Sequence, residues 1–256
     1  MPQLIAARLR NPKLVKKARV LPYQLLTAYK MADATVPGNV RDALQDAMEV
    51  ALRNVPALAG RIVVCADTSG SMGQPVTGYR KGASSKVRCV DAAALITAAL
   101  LATNRDAMAL PFDTQVHELQ LNPRDSVLTN AAKLAALGGG GTDCSAPLRW
   151  LNQRSSKVDL VVMVSDNESW FDPNVRTTWP AQRATTVMQE WHQIKLRNPQ
   201  ARLVCIDLVP NRHVQAYNRD DILNVGGFSD AVFNVLAQFA KGNKQQWVEL
   251  IRQQPL

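Results

Sequence analysis

Long apolar runs are missing from this sequence. The longest, Ala92–Ala102, has 11 residues and is interrupted by Thr97, well short of the roughly 20 that a membrane-spanning helix needs. The opening MPQLIAARLRNPKLVKK has no apolar stretch followed by small residues, so no secretory leader and no membrane partner are expected. Cysteine is scarce: Cys65, Cys89, Cys144 and Cys205 form no C-x-x-C pair and have no nearby pair of histidines. That spacing disfavours both a zinc site and a disulfide framework, and predicts reduced thiols in a cytoplasmic protein. Acidic residues are absent from the first 30 positions, which hold Arg8, Arg10, Lys13, Lys16, Lys17, Arg19 and Lys30. The other 226 residues carry 23 basic and 21 acidic side chains, so most of the net charge of +9 sits at one end. A basic end on a balanced body suits phosphate or an acidic surface, although a solvated helix face produces the same pattern. What is present is a chain of 256 residues, 46% apolar and 20% charged, enough for a sizeable core.

The first 59 residues read as helices punctuated by Pro2, Pro12, Pro22 and Pro37–Gly38, with Val40, Ala43, Leu44, Ala47, Met48 and Ala51 at helical spacing. Alone they are too few to bury much, so they are expected to pack on a neighbour. From Arg61 the texture changes. Short apolar runs at 61–66, 107–112, 159–164 and 202–209 read as strands, with 116–121 as a hairpin partner to the second. Helical patterns lie between and after them, at 88–102, 125–137, from about Ser145, at 181–197 and at 230–241. Strands that are apolar throughout and alternate with helices predict an α/β fold, a doubly wound and mostly parallel sheet, with a short helical N-terminal extension.

In such sheets ligands gather beyond the carboxyl ends of the strands. Three polar clusters fall there: Asp67-Thr68-Ser69-Gly70-Ser71-Met72, the run Gly138–Gly141 leading into Thr142-Asp143, and Ser165-Asp166-Asn167-Glu168. Each alone could be turn and cap residues. Jointly they supply carboxylates and hydroxyls, the hard oxygen ligands that suit Mg²⁺ or Mn²⁺. The glycine run is expected to permit the sharp backbone path that delivers Thr142 to the ion.

The set Asp67-x-Ser69-x-Ser71, Thr142 and Asp166 resembles the metal-ion-dependent adhesion site of von Willebrand factor A domains. The resemblance implies that the serine and threonine hydroxyls and the two aspartates hold the ion, directly or through water. It also implies an open coordination position that captures an acidic side chain of a protein partner. A narrower resemblance, to the Ro autoantigen family, is carried by ADTSGSM, GGTDCSAPLRW, VVMVSDNESW and KKARVLPYQLLTAYK. It implies that residues 1–59 correspond to the end of the ring of helical repeats called the TROVE domain, and 60–256 to the A domain. The family implies a cytoplasmic ribonucleoprotein with small noncoding RNA, of the Y RNA kind, and an exoribonuclease as partners. Most of the ring has no counterpart here, so RNA binding in its cavity is not carried over.

Other chemistries fit poorly. A haloacid-dehalogenase phosphatase needs a second carboxylate two residues after the first, where this chain has Ser69. The spacing around Ser71 is not a nucleophile elbow, and the glycine run matches neither phosphate-binding fingerprint. His117, His192 and His213 adjoin no Ser or Asp cluster. A binding protein rather than an enzyme is expected. Two rivals accompany the metal-dependent reading: a direct RNA binder, and a free-standing metal-dependent interaction module unrelated to RNA. For the RNA reading the candidate residues are Lys13, Lys16, Lys17 and Arg19, with Arg80, Lys81 and Lys86 in the loop after the first motif. Trp191 reads as core, whereas Trp170 and Phe171, directly after the Asp166 cluster, would suit a partner contact.

Overall fold

The computed structural model describes residues 1–78, 85–119, 121–122, 124–137, 139–166, 186–210, 216 and 219–242. The N-terminal segment forms four helices: α1 (Pro2–Leu9), α2 (Pro12–Ala18), α3 (Pro22–Met31) and α4 (Gly38–Ala51). Three of the punctuating prolines open the helices they precede, where a missing N–H costs nothing. Asn11 caps α2 by accepting from the amides of Lys13 and Leu14. Helix α4 buries the stripe expected of it, Val40, Ala43, Leu44, Ala47, Met48 and Ala51.

Among the described residues five parallel strands follow, in the order β2-β1-β3-β4-β5: β1 (Ile62–Ala66), β2 (Met108–Ala109), β3 (Leu160–Ser165), β4 (Arg202–Asp207) and β5 (Ile222–Gly226). The remaining helices among the described residues are α5 (Cys89–Thr103), α6 (Val127–Ala135), α7 (Ala146–Gln153), α8 (Thr186–Arg197) and α9 (Val232–Ala240). Among the described residues no helix is long and apolar enough to cross a membrane.

Alternation along each strand divides the core. Ile62, Val64, Leu160, Val162, Val204 and Ile206 face a cluster built with α5, α6, α9 and the N-terminal helices. Val63, Cys65, Val161, Met163, Leu203 and Cys205 face Leu148 and Leu151 of α7 and Val187, Met188, Trp191 and Ile194 of α8. Helix α5 is buried almost all round because it lies between the sheet and the N-terminal helices. The neighbour on which α1–α4 pack is therefore the chain's own α5 and α6. Polar ties fix that packing: Tyr23 N–H donates to Asp230 Oδ1, Lys30 Nζ to Asp91 Oδ1, and Val127 N–H to Glu49 Oε1.

Three details depart from the sequence pattern. The second strand contracts to two residues, although Leu110 and Phe112 still donate to Val64 and Ala66 of β1; Pro111 between them sits at the sheet's outer edge, where no N–H is needed. Among the described residues the hairpin partner reduces to one antiparallel bridge, Phe112–Val116. Strand β5 was not anticipated: only Ile222 in it is fully buried, and Gly226–Gly227 ends it. All four cysteines are free and buried, as their spacing predicted.

Candidate metal centre

Because β1, β3 and β4 run parallel, their carboxyl ends share one edge of the sheet. Asp67 follows β1 directly and is fully buried. Its Oδ1 accepts from Ser69 N–H at 2.8 Å and its Oδ2 from Ser165 Oγ at 2.6 Å. Burial pushes this carboxyl up to about 6 against the pull of those hydrogen bonds, and Asp166 adds repulsion. The two acids of the motif thus sit within each other's field. Asp166 is buried as well, and its Oδ2 accepts from Gln74 Nε2 at 2.9 Å. Ser69 and Ser71 bring their hydroxyls to 3.2 Å from one another in the turn after Asp67.

Thr142 arrives from a different part of the chain and is also buried. Its loop is stitched to the serine turn by Gly70 N–H donating to Gly140 O at 3.1 Å. Gly139 lies so close to that turn that a Cβ would stand 2.2 Å from Thr68 O and 2.6 Å from Ser69 Cα. The glycine is therefore required for close approach. Gly139, Gly140 and Gly141 all lack a positive φ, so space rather than left-handed backbone is what Gly139 provides here; Gly138 lies outside the described residues.

The donor chemistry fits a hard divalent cation. The five candidates offer two carboxylates and three hydroxyls, and burial raises one of the carboxylates to about 6, where a nearby cation would favour its charged form. Among the described residues no group of three or more His, Cys, Asp or Glu side chains gathers as a metal site. Cys89 opens α5 at this edge, but burial and the negative field of Asp166, Asp207 and Asp67 push its thiol up to about 12. It remains a neutral thiol.

Four neighbours of the site were not singled out from sequence. Ser165 belonged to a noted cluster without a role. Asp207 ends β4 in register with Ser165. Gln74 had no signal, since its amide reaches Asp166 only through the fold. Asp113 had one: it directly follows an expected strand, which is the position that marked Asp67.

The cationic candidates divide. Lys13, Lys16 and Lys17 stand exposed on α2, Arg19 is exposed at its C-terminal cap, and none of the four makes an ion pair among the described residues. Lys86 is exposed and adds to the hydrogen bonds from Thr35 that hold the Asp33 carboxyl low. Arg80 and Lys81 lie outside the described residues, as do Trp170 and Phe171. Trp191 is core, with its Nε1–H donated to Asp221 Oδ2 at 2.8 Å.

Comparison with known proteins adds the lineage. A family model, the Ro60 vWA domain, matches residues 61–240. The RNA-binding protein RO60 of Deinococcus radiodurans is 31% identical over 253 residues, covering 94% of this chain and 45% of its own length. The RNA-binding protein RO60 of Caenorhabditis elegans is 26% identical over 176 residues, covering 65% of this chain and 26% of its own. The crystal structure of the Deinococcus radiodurans RO (RSR) protein superposes with a TM-score of 0.75 at 28% identity, over 94% of this chain and 48% of that one. The chain spans less than half the length of the relatives it matches.

Proposed function

Since the chain belongs to the Ro60 vWA domain family, we propose that it is a metal-dependent binding module of a noncoding-RNA-binding particle, and not an enzyme. Asp67, Ser69, Ser71, Thr142 and Asp166 would hold Mg²⁺ or Mn²⁺, with Asp67 contributing most. Bound there, the ion supplies a Lewis-acidic position that accepts a carboxylate oxygen from a protein partner, an exoribonuclease being one such partner. The observation that carries this reading is the buried pair Asp67 and Asp166 beside the Ser69–Ser71 hydroxyls. Each of these groups serves binding: the hydroxyls add ligand oxygens without further charge, while Gln74 and Ser165 orient the carboxylates.

Isothermal titration with Mg²⁺ and Mn²⁺ tests it. The wild-type chain binds and Asp67→Ala does not; equal affinity in the two proteins refutes the assignment. Loss of partner capture in chelator, restored by Mg²⁺, tests the adhesion step.

A second reading, direct RNA binding, is favoured by one specific observation. Lys13, Lys16, Lys17 and Arg19 are exposed on and beside a single short helix, in a 30-residue stretch free of acid. The relatives' names call them RNA-binding proteins, and a cationic helix of this kind contacts phosphate without reading sequence.

A further inference from the structure

Asp113 lies at the end of the β2 path, nearly buried, and it holds the Thr142 loop at two points. Its carboxylate Oδ2 accepts from Gly140 N–H at 3.3 Å, and its backbone carbonyl accepts from Asp143 N–H at 2.8 Å. Those two amides bracket Thr142, one on each side. The other carboxylate oxygen, Oδ1, accepts from Gln115 N–H at 3.1 Å and from Thr114 Oγ1 at 3.4 Å, and stands 3.1 Å from His117 Nε2. The residue before it, Phe112, accepts from Thr68 N–H at 2.7 Å and bridges to Asp67. One end of the clamp is therefore anchored to the first metal motif and the other grips the loop that carries the threonine.

We infer that Asp113 is a positioning residue for the metal centre, fixing the turn from Gly140 to Asp143 so that Thr142 is held beside the Asp67 motif. The inference rests on the metal reading above and extends it to a residue that touches none of the five ligand candidates through its own carboxylate. The physical argument is one of backbone freedom. Consecutive glycines have the largest conformational entropy in the chain, so Gly139, Gly140 and Gly141 cannot hold Thr142 in place unaided. Asp113 supplies the restraint from one side and the Gly70–Gly140 hydrogen bond from the other. Beyond Thr142 the chain is pinned again. Asp143 Oδ1 accepts from both Ser145 N–H and Ser145 Oγ, and Asp143 Oδ2 accepts from Arg149 at 3.2 Å. On the glycine side the restraints come from remote groups, and Asp113 supplies the one from a side chain. Burial alone would raise its carboxyl, but the amides of Gln115 and Gly140 together with His117 keep it below the usual carboxylate range, hence charged.

A double-mutant cycle on Mn²⁺ affinity in the full chain separates positioning from a general structural role. Asp113→Ala is expected to weaken Mn²⁺ by about 10- to 100-fold, the range typical of groups that orient a ligand, with a broadened Mn²⁺ paramagnetic resonance spectrum. In a Thr142→Ala background the same substitution is expected to cost almost nothing, because the ligand it positions is gone. Amide exchange in chelator provides a readout independent of the ion: Gly140 and Asp143 should lose protection while the β1 and β3 amides keep theirs. If Asp113→Ala fails to fold, the isosteric Asp113→Asn takes its place in the cycle. Wild-type affinity in the Asp113 variant, or losses that add fully in the double variant, would overturn the inference while leaving the metal reading intact. Absence of Mn²⁺ binding by the wild-type chain would overturn both.

Discussion

Ser165 Oγ donates to Asp67 Oδ2 at 2.6 Å, joining the last residue of β3 to the residue that follows β1 across 98 positions of sequence. The carboxylate at the centre of the site is thus oriented by its neighbouring strand, whose register with β1 runs unbroken from Ile62–Leu160 to Ala66–Val164. Removing that donor strands a buried oxygen. Ser165→Ala should lower stability in urea by about 1–3 kcal/mol and push the Asp67 carboxyl further up. Its Mn²⁺ binding curve should shift to higher pH than the wild-type curve; superimposable curves would show that Ser165 does not tune Asp67.

The raised Asp67 carboxyl sets a pH dependence of definite sign. Its folded value of about 6 exceeds the ordinary 3.8, so the fold carries more protons than the unfolded chain between the two. Without metal, the cost of ionising Asp67 is absent below the ordinary value and complete above about 6, which makes it worth roughly 3 kcal/mol of lost stability at neutral pH. Asp67→Asn should therefore be more stable than wild type in chelator at pH 7, and this advantage should vanish near pH 4. Metal reverses the preference, so Mn²⁺ affinity should be flat above pH 7 and fall about tenfold per unit below 6. Urea midpoints and titration calorimetry across this range check both limbs.

Gly139→Ala places a methyl 2.2 Å from Thr68 O, against backbone that cannot swing aside. We expect a loss of about 1–3 kcal/mol and a large drop in metal affinity, since the two loops must part. Gly73→Ala, whose Cβ meets nothing within 4 Å, is the control and should change neither by more than about 0.5 kcal/mol.

The elements that sequence revealed are those whose burial is uniform. Strands β1, β3 and β4 are apolar on both faces, and α5 is apolar all round, so composition alone marked them. Strand β5 escaped because Leu223, Asn224 and Val225 are only half-buried at the sheet's edge and carry no alternation to read. The five motif residues were legible because the motif consists of their own side chains, whereas Gln74 and Asp113 act by hydrogen bonds to groups 92 and 27 positions away. A partner so distant leaves no local pattern.

Asp91 ties the N-terminal helices to the start of α5. Burial would raise its carboxyl, but hydrogen bonds from Arg88 and Lys30 hold it below the usual range, so its contribution is present at neutral pH and lost in acid. Asp91→Ala removes the capping-box acceptor of Arg88 N–H and the partner of Lys30 together. We expect a loss of about 2–4 kcal/mol in urea at pH 7, shrinking towards pH 3. Lys30→Met, which leaves Arg88 in place, should cost no more than about 1 kcal/mol.

If α2 meets RNA, its exposed cations meet phosphate. The triple change of Lys13, Lys16 and Lys17 to Glu should weaken unrelated single-stranded RNAs alike. It should also flatten the slope of log affinity against log salt by about 2–3. Retained discrimination between RNAs in that variant would place recognition elsewhere.

The all-parallel order β2-β1-β3-β4-β5 also sets when this edge can exist during synthesis. Parallel neighbours cannot be joined by a tight turn, so β1 gains β2 only after α5 has been made, and gains β3 only after α6 and α7. Asp67 therefore leaves the ribosome 98 residues ahead of the serine that orients it, and Thr142 and Asp166 emerge later than β2. If the five candidates hold magnesium as proposed, a nascent chain would lack a complete ligand set until the residue after β3 is out. On the metal reading, the last ligand candidate, Asp166, would emerge before β4 and β5 exist, so an ion held there would stabilise the half of the sheet already made while the rest is still being added.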